Sequence, residues 1–178
     1  PRVRTSVQSS PGYAIPYDPE WRSMITGRRE VAANDLPVVG GAGSLASLVA
    51  EVLEAVHAGD ADVLGELGVE EEQWEEVYWP EFPQSRPYLK IPADEAWDLH
   101  RAENRSGINR LLREWAGRDL AVESISHGDP RAYTNFTLIP DLRIQAVDPQ
   151  SGERVEIEAV RSVALRQDRY KVFLYSES

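Results

Sequence analysis

The last third of the chain most constrains the fold, because it holds only strand-like segments joined by connections too short for a helix. The five runs lie within residues 119–176 and read DLAVESISHG, RAYTNFTLI, DLRIQAVD, ERVEIEAVRSVALRQ and RYKVFLYS. Turn sequences such as HGDP, IPD and DPQSG separate them. Parallel strands need crossovers of about a dozen residues or more, so these connections predict an antiparallel sheet.

Segments with helical periodicity all precede the sheet. Ser44 is a suitable N-cap for SLASLVAEVLEAVHAG, whose leucines and valines recur on one helical face. Gly59 ends this helix, Asp60 caps the short ADVLGELG, and VEEEQWEEVYW predicts a third helix. A fourth begins near Asp94 and ends before Gly117. Helices first and strands after predict an α+β fold, with the helices packed on the antiparallel sheet.

A stretch rich in proline and aromatic residues, VYWPEFPQSRPYLKIPADEAWDLH, joins the third and fourth helices over residues 77–100. Its four prolines exclude a continuous helix. We expect Trp79, Phe82, Tyr88 and Trp97 to cover the open end of the core. Tyr78, Trp79 and Trp97 are also the candidates for the aromatic wall of a ligand site.

Residues 1–43 predict an extended or flexible N-terminal arm, and residues 44–178 a single domain. The arm has prolines at 1, 11, 16 and 19 and no regular apolar period. Trp21, Met24 and Ile25 are the residues expected to fix its middle to the domain.

Composition excludes several classes of function. The net charge is −11, and the excess of acid lies in residues 35–98, so the basic surface typical of nucleic-acid binding is missing. The sequence has no cysteine, which excludes disulfides and thiolate chemistry. No apolar run predicts a membrane span. The chain opens at Pro1, and a trimmed methionine, a removed leader and a cropped start are the open alternatives. An extracytoplasmic location with a processed leader is slightly favoured over a cytoplasmic one.

The run VHAGDADVLGEL and the closing GERVEIEAVRSVALRQDRYKVFLYS together resemble the nuclear transport factor 2-like, or cystatin-like, superfamily. The middle segment, YWPEFP through WDLH to LLREWAGRDL, resembles uncharacterised bacterial members that are often secreted or lipoprotein-like. The resemblance implies helices packed into the mouth of a strongly curved, cone-like sheet. The superfamily includes isomerases, dehydratases and non-catalytic binding domains, so the fold implies no single reaction.

Two tempting motifs have simpler interpretations. GAGSLA in residues 41–46 fits a dinucleotide-binding pattern, but Asp60 and Asp62 begin a helix where that site needs an acid ending a strand. A linker followed by an N-cap is the better interpretation. The three histidines, His57, His100 and His127, lack the spacing of metal ligands. We therefore expect neither a cofactor nor a metal.

His100 is the most interesting polar residue, because it lies with Asn104 on the apolar stripe of the fourth helix. A buried, hydrogen-bonded histidine is the simpler interpretation. In an enzyme with this cone, an acid–base residue would sit beside a tyrosine or an asparagine. The weak catalytic candidates on that view are His100, Tyr133 and Asn135.

Arg161 has two alternative positions. Strict alternation along ERVEIEAVRSVAL places it in line with the core residues, where it would anchor a carboxylate or phosphate ligand. A bulge near Val160 would instead turn Arg161 to solvent and bury Val160 and Val163. The bulge is slightly favoured, because long strands in strongly curved sheets commonly need one.

The sequence favours a non-catalytic domain that binds a small molecule or a protein. The alternative is an isomerase- or dehydratase-type enzyme that uses His100 in a pocket. A homodimer through the sheet face is a further expectation. An open cavity containing His100 with an acid or tyrosine in reach would favour the enzyme. A cone filled by tryptophan and phenylalanine would favour the binding domain.

Overall fold

The computed structural model describes residues 17–175, and its helices precede its strands. The helices are α1 (Ser23–Thr26), α2 (Leu45–Ala58), α3 (Ala61–Glu66), α4 (Glu71–Gln73, continued by a π-helical turn over Trp74–Tyr78) and α5 (Ala93–Trp115). The strands are β1 (Ala121–Ser126), β2 (Arg131–Ala132), β3 (Thr137–Pro140), β4 (Arg143–Val147), β5 (Arg154–Ile157), β6 (Val160–Arg166) and β7 (Arg169–Tyr175). The predicted α+β order is confirmed.

Local signals in the sequence set the helix ends. The Ser44 side chain accepts a hydrogen bond from the Ser47 amide and begins α2. Gly59 ends α2 at a φ of 71°, in the left-handed region that glycine adopts without strain. The Asp60 carboxylate then accepts the amides of Asp62 and Val63 to begin α3. The prolines after Trp79 leave only three 3₁₀ turns, Trp79–Glu81, Pro83–Ser85 and Pro87–Leu89, before α5.

All strand pairs are antiparallel and form two groups, ordered β1-β4-β5 and β2-β3-β6-β7. The groups are two leaves of one bent meander, because only residues 141–142 separate β3 from β4 and only residues 158–159 separate β5 from β6. The amide of Asp141 donates to the carbonyl of Arg161 across the bend, at 2.8 Å. Among residues 17–175 the sheet stays open and does not close into a barrel.

The sequence prediction of one strand over RAYTNFTLI is wrong. A tight turn at residues 133–136, closed by the Tyr133 amide on the Phe136 carbonyl at 2.8 Å, divides this run into β2 and β3. The buried carboxylate of Glu81 holds the turn, because it accepts the amides of Thr134 at 2.6 Å and Asn135 at 2.8 Å. Apolar alternation alone does not reveal this tertiary contact.

The main core lies between the helices and both leaves of the sheet. α2 contributes its leucine and valine stripe, and α5 contributes Ile108 and Leu111. These side chains meet buried residues of the two leaves, among them Ile144, Ile157, Val163 and Val172. Burying a Leu, Ile or Val side chain stabilises a fold by roughly 1.5–3 kcal/mol. Within the described range no helix is long and apolar enough to cross a membrane.

The described part of the N-terminal arm, residues 17–43, is irregular apart from α1 and is held against the domain by polar contacts. Trp21, Met24 and Ile25 do not fix it, since all three are exposed. An ion pair does so instead, since Asp18 binds the buried Arg86 at 2.8 Å. Arg29, paired with Glu20 within the arm, donates to the Pro80 carbonyl at 3.1 Å and to Ser85 Oγ at 2.9 Å. Further along, the Ala42 amide donates to the Tyr170 carbonyl at 2.9 Å and so covers the edge of β7.

Arg166, near the end of β6, fixes the middle of the arm. Its side chain is only 4% exposed, and its guanidinium donates to the Asn34 carbonyl at 2.8 Å and to Gln73 Oε1 at 3.0 Å. It also donates to the Leu36 carbonyl. Gln73 in turn donates to the Pro37 carbonyl at 2.8 Å. One buried cation thus joins the sheet, the arm and α4 through neutral acceptors.

We expect Arg166→Leu to lower the free energy of unfolding by about 3 kcal/mol, because it leaves several buried acceptors without a donor. Urea unfolding monitored by circular dichroism measures the change. Arg161→Leu is the matched control, since Arg161 lies on the same strand but is exposed; its expected effect is within about 0.5 kcal/mol. Equal effects of the two substitutions would contradict the role assigned to Arg166.

We expect Asp18→Ala to destabilise the fold by about 3 kcal/mol, because Arg86 would keep its buried charge without a carboxylate. Asp98→Ala removes an ion pair of similar length, 2.9 Å to Arg101, whose two side chains are 70% and 56% exposed. That control is expected to cost less than about 1 kcal/mol. Thermal melts of both variants provide the comparison, and a neutral Asp18→Ala would show that the pair of Asp18 with Arg86 does not stabilise the fold.

Candidate functional site

An aromatic cluster that includes His100, one of the catalytic candidates, covers the face of β3, β6 and β7 opposite the main core. Leu138, Ala164 and Phe173 contact this cluster, whereas their neighbours Ile139, Val163 and Val172 point into the main core. Trp74 lies at its centre, with ring centroids 6.1 Å from Trp79, 6.1 Å from Trp97 and 5.6 Å from Phe173. Phe82 and Phe136 also belong to the cluster. Of the residues expected to cover the open end of the core, Trp79, Phe82 and Trp97 instead pack in this second cluster, and Tyr88 is exposed.

His100 is a buried member of this cluster. Its ring stacks on Trp74 at 4.0 Å between centroids, and its Nε2 lies 3.0 Å from Asn104 Nδ2. The amide nitrogen is the donor, so Nε2 accepts and the ring is neutral. Burial lowers the pKa of His100 to about 4, against a smaller opposing effect of the Phe173 carbonyl. The structure therefore agrees with the interpretation of a hydrogen-bonded core histidine.

Tyr133 and Asn135 do not join His100 in a catalytic constellation. Tyr133 stacks on Phe136 at 4.4 Å, and burial raises the pKa of its hydroxyl. Asn135 holds the arm, since its Oδ1 accepts the Asn34 amide at 2.7 Å and its Nδ2 donates to the Ala32 carbonyl at 3.1 Å. Among the described residues no hydrogen bond links either side chain to His100.

Arg161 faces solvent, and the bulge that the sequence favoured is present. The register of β6 against β7 shifts between Val160 and Val163, and both valines are buried. The shift turns Arg161 outward and fills the interior with apolar side chains. A receptor for a small acid inside the cone would need an inward arginine at this position, so that hypothesis loses its anchor.

The candidate site is a groove of about 480 Å³ between α3 and α5. Its apolar lining comes from Val69, Trp97, Ile108 and Tyr175. Its other lining residues are Ala61, Asp62, Gly65, Gly68, Arg101, Asn104, Arg105 and Asn109. The volume lies within the range of roughly 300–1,000 Å³ that is usual for small-molecule sites.

Tyr175, at the end of β7, fixes both walls of the groove. Its hydroxyl donates to the Leu64 carbonyl of α3 at 2.6 Å, and its amide donates to Asn104 Oδ1 of α5 at 2.9 Å. Burial raises the pKa of the Tyr175 hydroxyl, which keeps it a donor. Asn104 also donates to the Phe173 carbonyl at 3.3 Å, so α5 is tied twice to the last strand.

Two glycines keep the groove open. A Cβ on Gly65 would meet nothing within 4 Å, so a side chain at this position would extend into open space beside α3. A Cβ on Gly68 would lie 3.0 Å from the Gly65 carbonyl oxygen, which favours glycine where the chain leaves α3. Substitutions at Gly65 can therefore fill the groove without a steric clash.

The groove contains one of the ligand-binding candidates from the sequence. Trp97 lines it, whereas Tyr78 is 1% exposed within the aromatic cluster and Trp79 stacks on Trp74. Burial raises the pKa of Tyr78 to about 12, so its phenol stays protonated. Sequence analysis missed Arg101 and Arg105 as site residues, although their spacing from Trp97 places all three on one face of α5.

Two other concavities are weaker candidates. One, of about 610 Å³, is lined by residues 19–30 alone, and Arg29 within it is already bound to Glu20. The other, of about 250 Å³, lies between α5 and β5 and has a pair of glutamates, Glu156 and Glu158, on one side. Over residues 17–175 no three histidine, aspartate or glutamate side chains form a cluster that could hold a metal ion.

In comparisons with known proteins, no family model matches the sequence, and neither the curated proteins nor the solved structures give a significant match.

Acid should destabilise this protein through His100. Its pKa falls from 6.5 to about 4 on folding, so below pH 6.5 the unfolded chain binds a proton that the folded chain excludes. The free energy of unfolding then falls as the pH falls, by about 3 kcal/mol from this group once pH 4 is reached.

Urea unfolding of the wild type and of His100→Gln at pH 7 and pH 4.5 measures this contribution. We expect a smaller loss of stability on acidification in the variant, because glutamine cannot bind the proton. His127→Gln, at an exposed histidine, should retain the wild-type loss. An identical pH dependence in all three proteins would show that His100 does not titrate as its burial requires.

Proposed function

We propose that this protein is a non-catalytic ligand-binding domain of the nuclear transport factor 2-like type, and that its ligand binds in the groove between α3 and α5. The filled interior is the observation that carries the proposal. Leucine, isoleucine and valine side chains fill the space between α2, α5 and the sheet. His100, in the aromatic cluster on the opposite face, has an asparagine and an indole as neighbours where an enzyme would need an acid or a tyrosine. The groove, in contrast, is open to solvent and partly apolar.

The bent meander with helices on one side supports the family resemblance. Residues of α2 and α5 pack against both leaves of the sheet in one core, as expected for helices in the mouth of a strongly curved sheet. The enzyme alternative is less favoured, since His100, Tyr133 and Asn135 each have structural hydrogen bonds or stacking partners and lie on separate elements.

A small molecule is favoured over a homodimer through the sheet face. The exposed side of the leaf formed by β1, β4 and β5 carries charged side chains that already pair with each other. Arg154 lies 3.0 Å from Glu123, and Arg143 lies 3.7 Å from Glu156. Cores of stable homodimer interfaces are depleted in charged residues, so this surface suits solvent better than a second copy of the chain.

We expect Gly65→Phe to abolish binding of an apolar dye in the groove. The neutral dye phenyl-naphthylamine gains fluorescence in apolar surroundings, and its titration with wild-type protein should saturate. The phenylalanine side chain would occupy the empty space above α3 and should weaken dye binding by at least about tenfold, since roughly 1.4 kcal/mol of lost contact gives that factor.

Gly43→Phe is the matched control, because a Cβ there also meets nothing within 4 Å and Gly43 lies outside the groove. It should bind the dye like the wild type. Circular dichroism confirms that each variant is folded. Equal binding by wild type and Gly65→Phe would refute the groove as the ligand site, and no saturable binding by the wild type would refute the ligand-binding domain with an apolar groove.

A further inference from the structure

The groove carries positive charge on a protein that is acidic overall. Arg101 and Arg105 project from α5 into the groove lining, whereas the net charge of the chain is −11. Asp62 of α3 is the acid on the opposite wall. The groove thus has two arginines one helical turn apart beside apolar side chains. The surface of the preceding helices is acidic, so the groove differs from it in charge.

The two arginines are not equally engaged. Arg101 donates at 2.9 Å to Asp98, an exposed residue that lies outside the groove lining. Arg105 makes no ion pair and no side-chain hydrogen bond with any residue between 17 and 175. Its guanidinium has five donors in a planar fork that matches a carboxylate or a phosphate.

The other polar side chain at the centre of the groove is already used. Asn104 donates to His100 and to the Phe173 carbonyl and accepts the Tyr175 amide, so it offers little to a ligand. The remaining lining nearby is apolar: Trp97 lies two turns before Arg105 on α5, and Ile108 lies about one turn after it. An occupant therefore meets two arginines with apolar side chains before and after them along α5.

We propose that the groove between α3 and α5 binds an amphipathic anion, with an apolar ring or chain against Trp97, Val69 and Ile108 and an anionic head group on Arg105, assisted by Arg101. This inference rests on the proposed function, because it names the ligand class of the same groove. The lining from Trp97 to Asn109 spans thirteen residues of α5, about 18 Å of helix between the first and the last. That length accommodates a medium-length acyl chain or a fused aromatic ring system.

A pair of dyes that differ by one charged group tests the inference. Phenyl-naphthylamine is neutral, and anilinonaphthalene sulfonate is the same ring system with an anionic sulfonate. The wild type should bind the sulfonate at least about tenfold more tightly, as expected when a charge-assisted hydrogen bond is gained. Higher salt should reduce this preference, because Arg105 is exposed.

Arg105→Gln should remove most of the preference for the anion and leave the affinity for the neutral dye within about twofold. Arg113→Gln is the matched control, since Arg113 is an exposed arginine of the same helix outside the groove lining. Asp62→Asn should increase the preference for the anionic dye, because it removes the carboxylate from the facing wall. Competition by dodecanoate and by dodecyl phosphate then distinguishes a carboxylate from a phosphate head group, with dodecanol as the neutral comparison.

The outcomes separate this inference from the proposed function. If Gly65→Phe blocks both dyes but the wild type binds them equally, the groove is the site and the anionic ligand class is wrong. The same conclusion follows if Arg105→Gln and Arg113→Gln retain equal preferences. If Gly65→Phe changes neither dye, the groove itself is not the site and both proposals fail.

Discussion

The buried guanidinium of Arg166 is the contact on which the arrangement of the remaining parts depends. It is a full charge with only 4% exposure, and its partners are two backbone carbonyls and the amide oxygen of Gln73. A buried charge is tolerated only when dipoles or an opposite charge replace its hydration. Residues 34–36 provide those dipoles, so this part of the arm is as much a part of the fold as the strands.

The same contact explains why β6 is buried on both faces. Helices cover one face, and the arm together with α4 covers the other, so Val160, Ser162, Val163, Ala164 and Arg166 are all buried. A strand covered on both sides can carry a polar residue wherever acceptors are supplied from the covering segment. The acceptors here come from residues about 130 positions earlier in the chain, which no local pattern encodes.

Sequence analysis predicted the fold class, the helix caps and most strands, because these depend on local periodicity and on residues such as Ser44, Gly59 and Asp60. It failed where tertiary contacts decide. The turn at residues 133–136 depends on Glu81, a buried acid more than fifty residues away. Alternation predicted an inward Arg161 unless a bulge intervened, and it could not identify Arg166 as the buried arginine of this strand.

The site was harder to predict than the fold. Trp97 was a candidate, but its partners in the groove come from α3, α5 and the end of β7, and only the packing of these elements brings them together. Gly65 lines the groove without a side chain, and a glycine in a helical segment does not by itself indicate a binding site in a sequence. His100 attracted attention because a histidine on an apolar stripe is unusual, yet stacking on Trp74 and the bond from Asn104 account for it.

Tyr175 gives the groove a property that goes beyond its shape. Because its hydroxyl holds α3 and its amide holds α5, the distance between the walls is set during folding rather than when a ligand arrives. Binding to such a preorganised cleft would cost little backbone entropy, and rigid walls would favour a ligand of matching thickness. A molecule too wide for the cleft would have to break the hydrogen bonds that Tyr175 makes to α3 and α5. The end of β7 would therefore limit the thickness of a molecule bound between these helices.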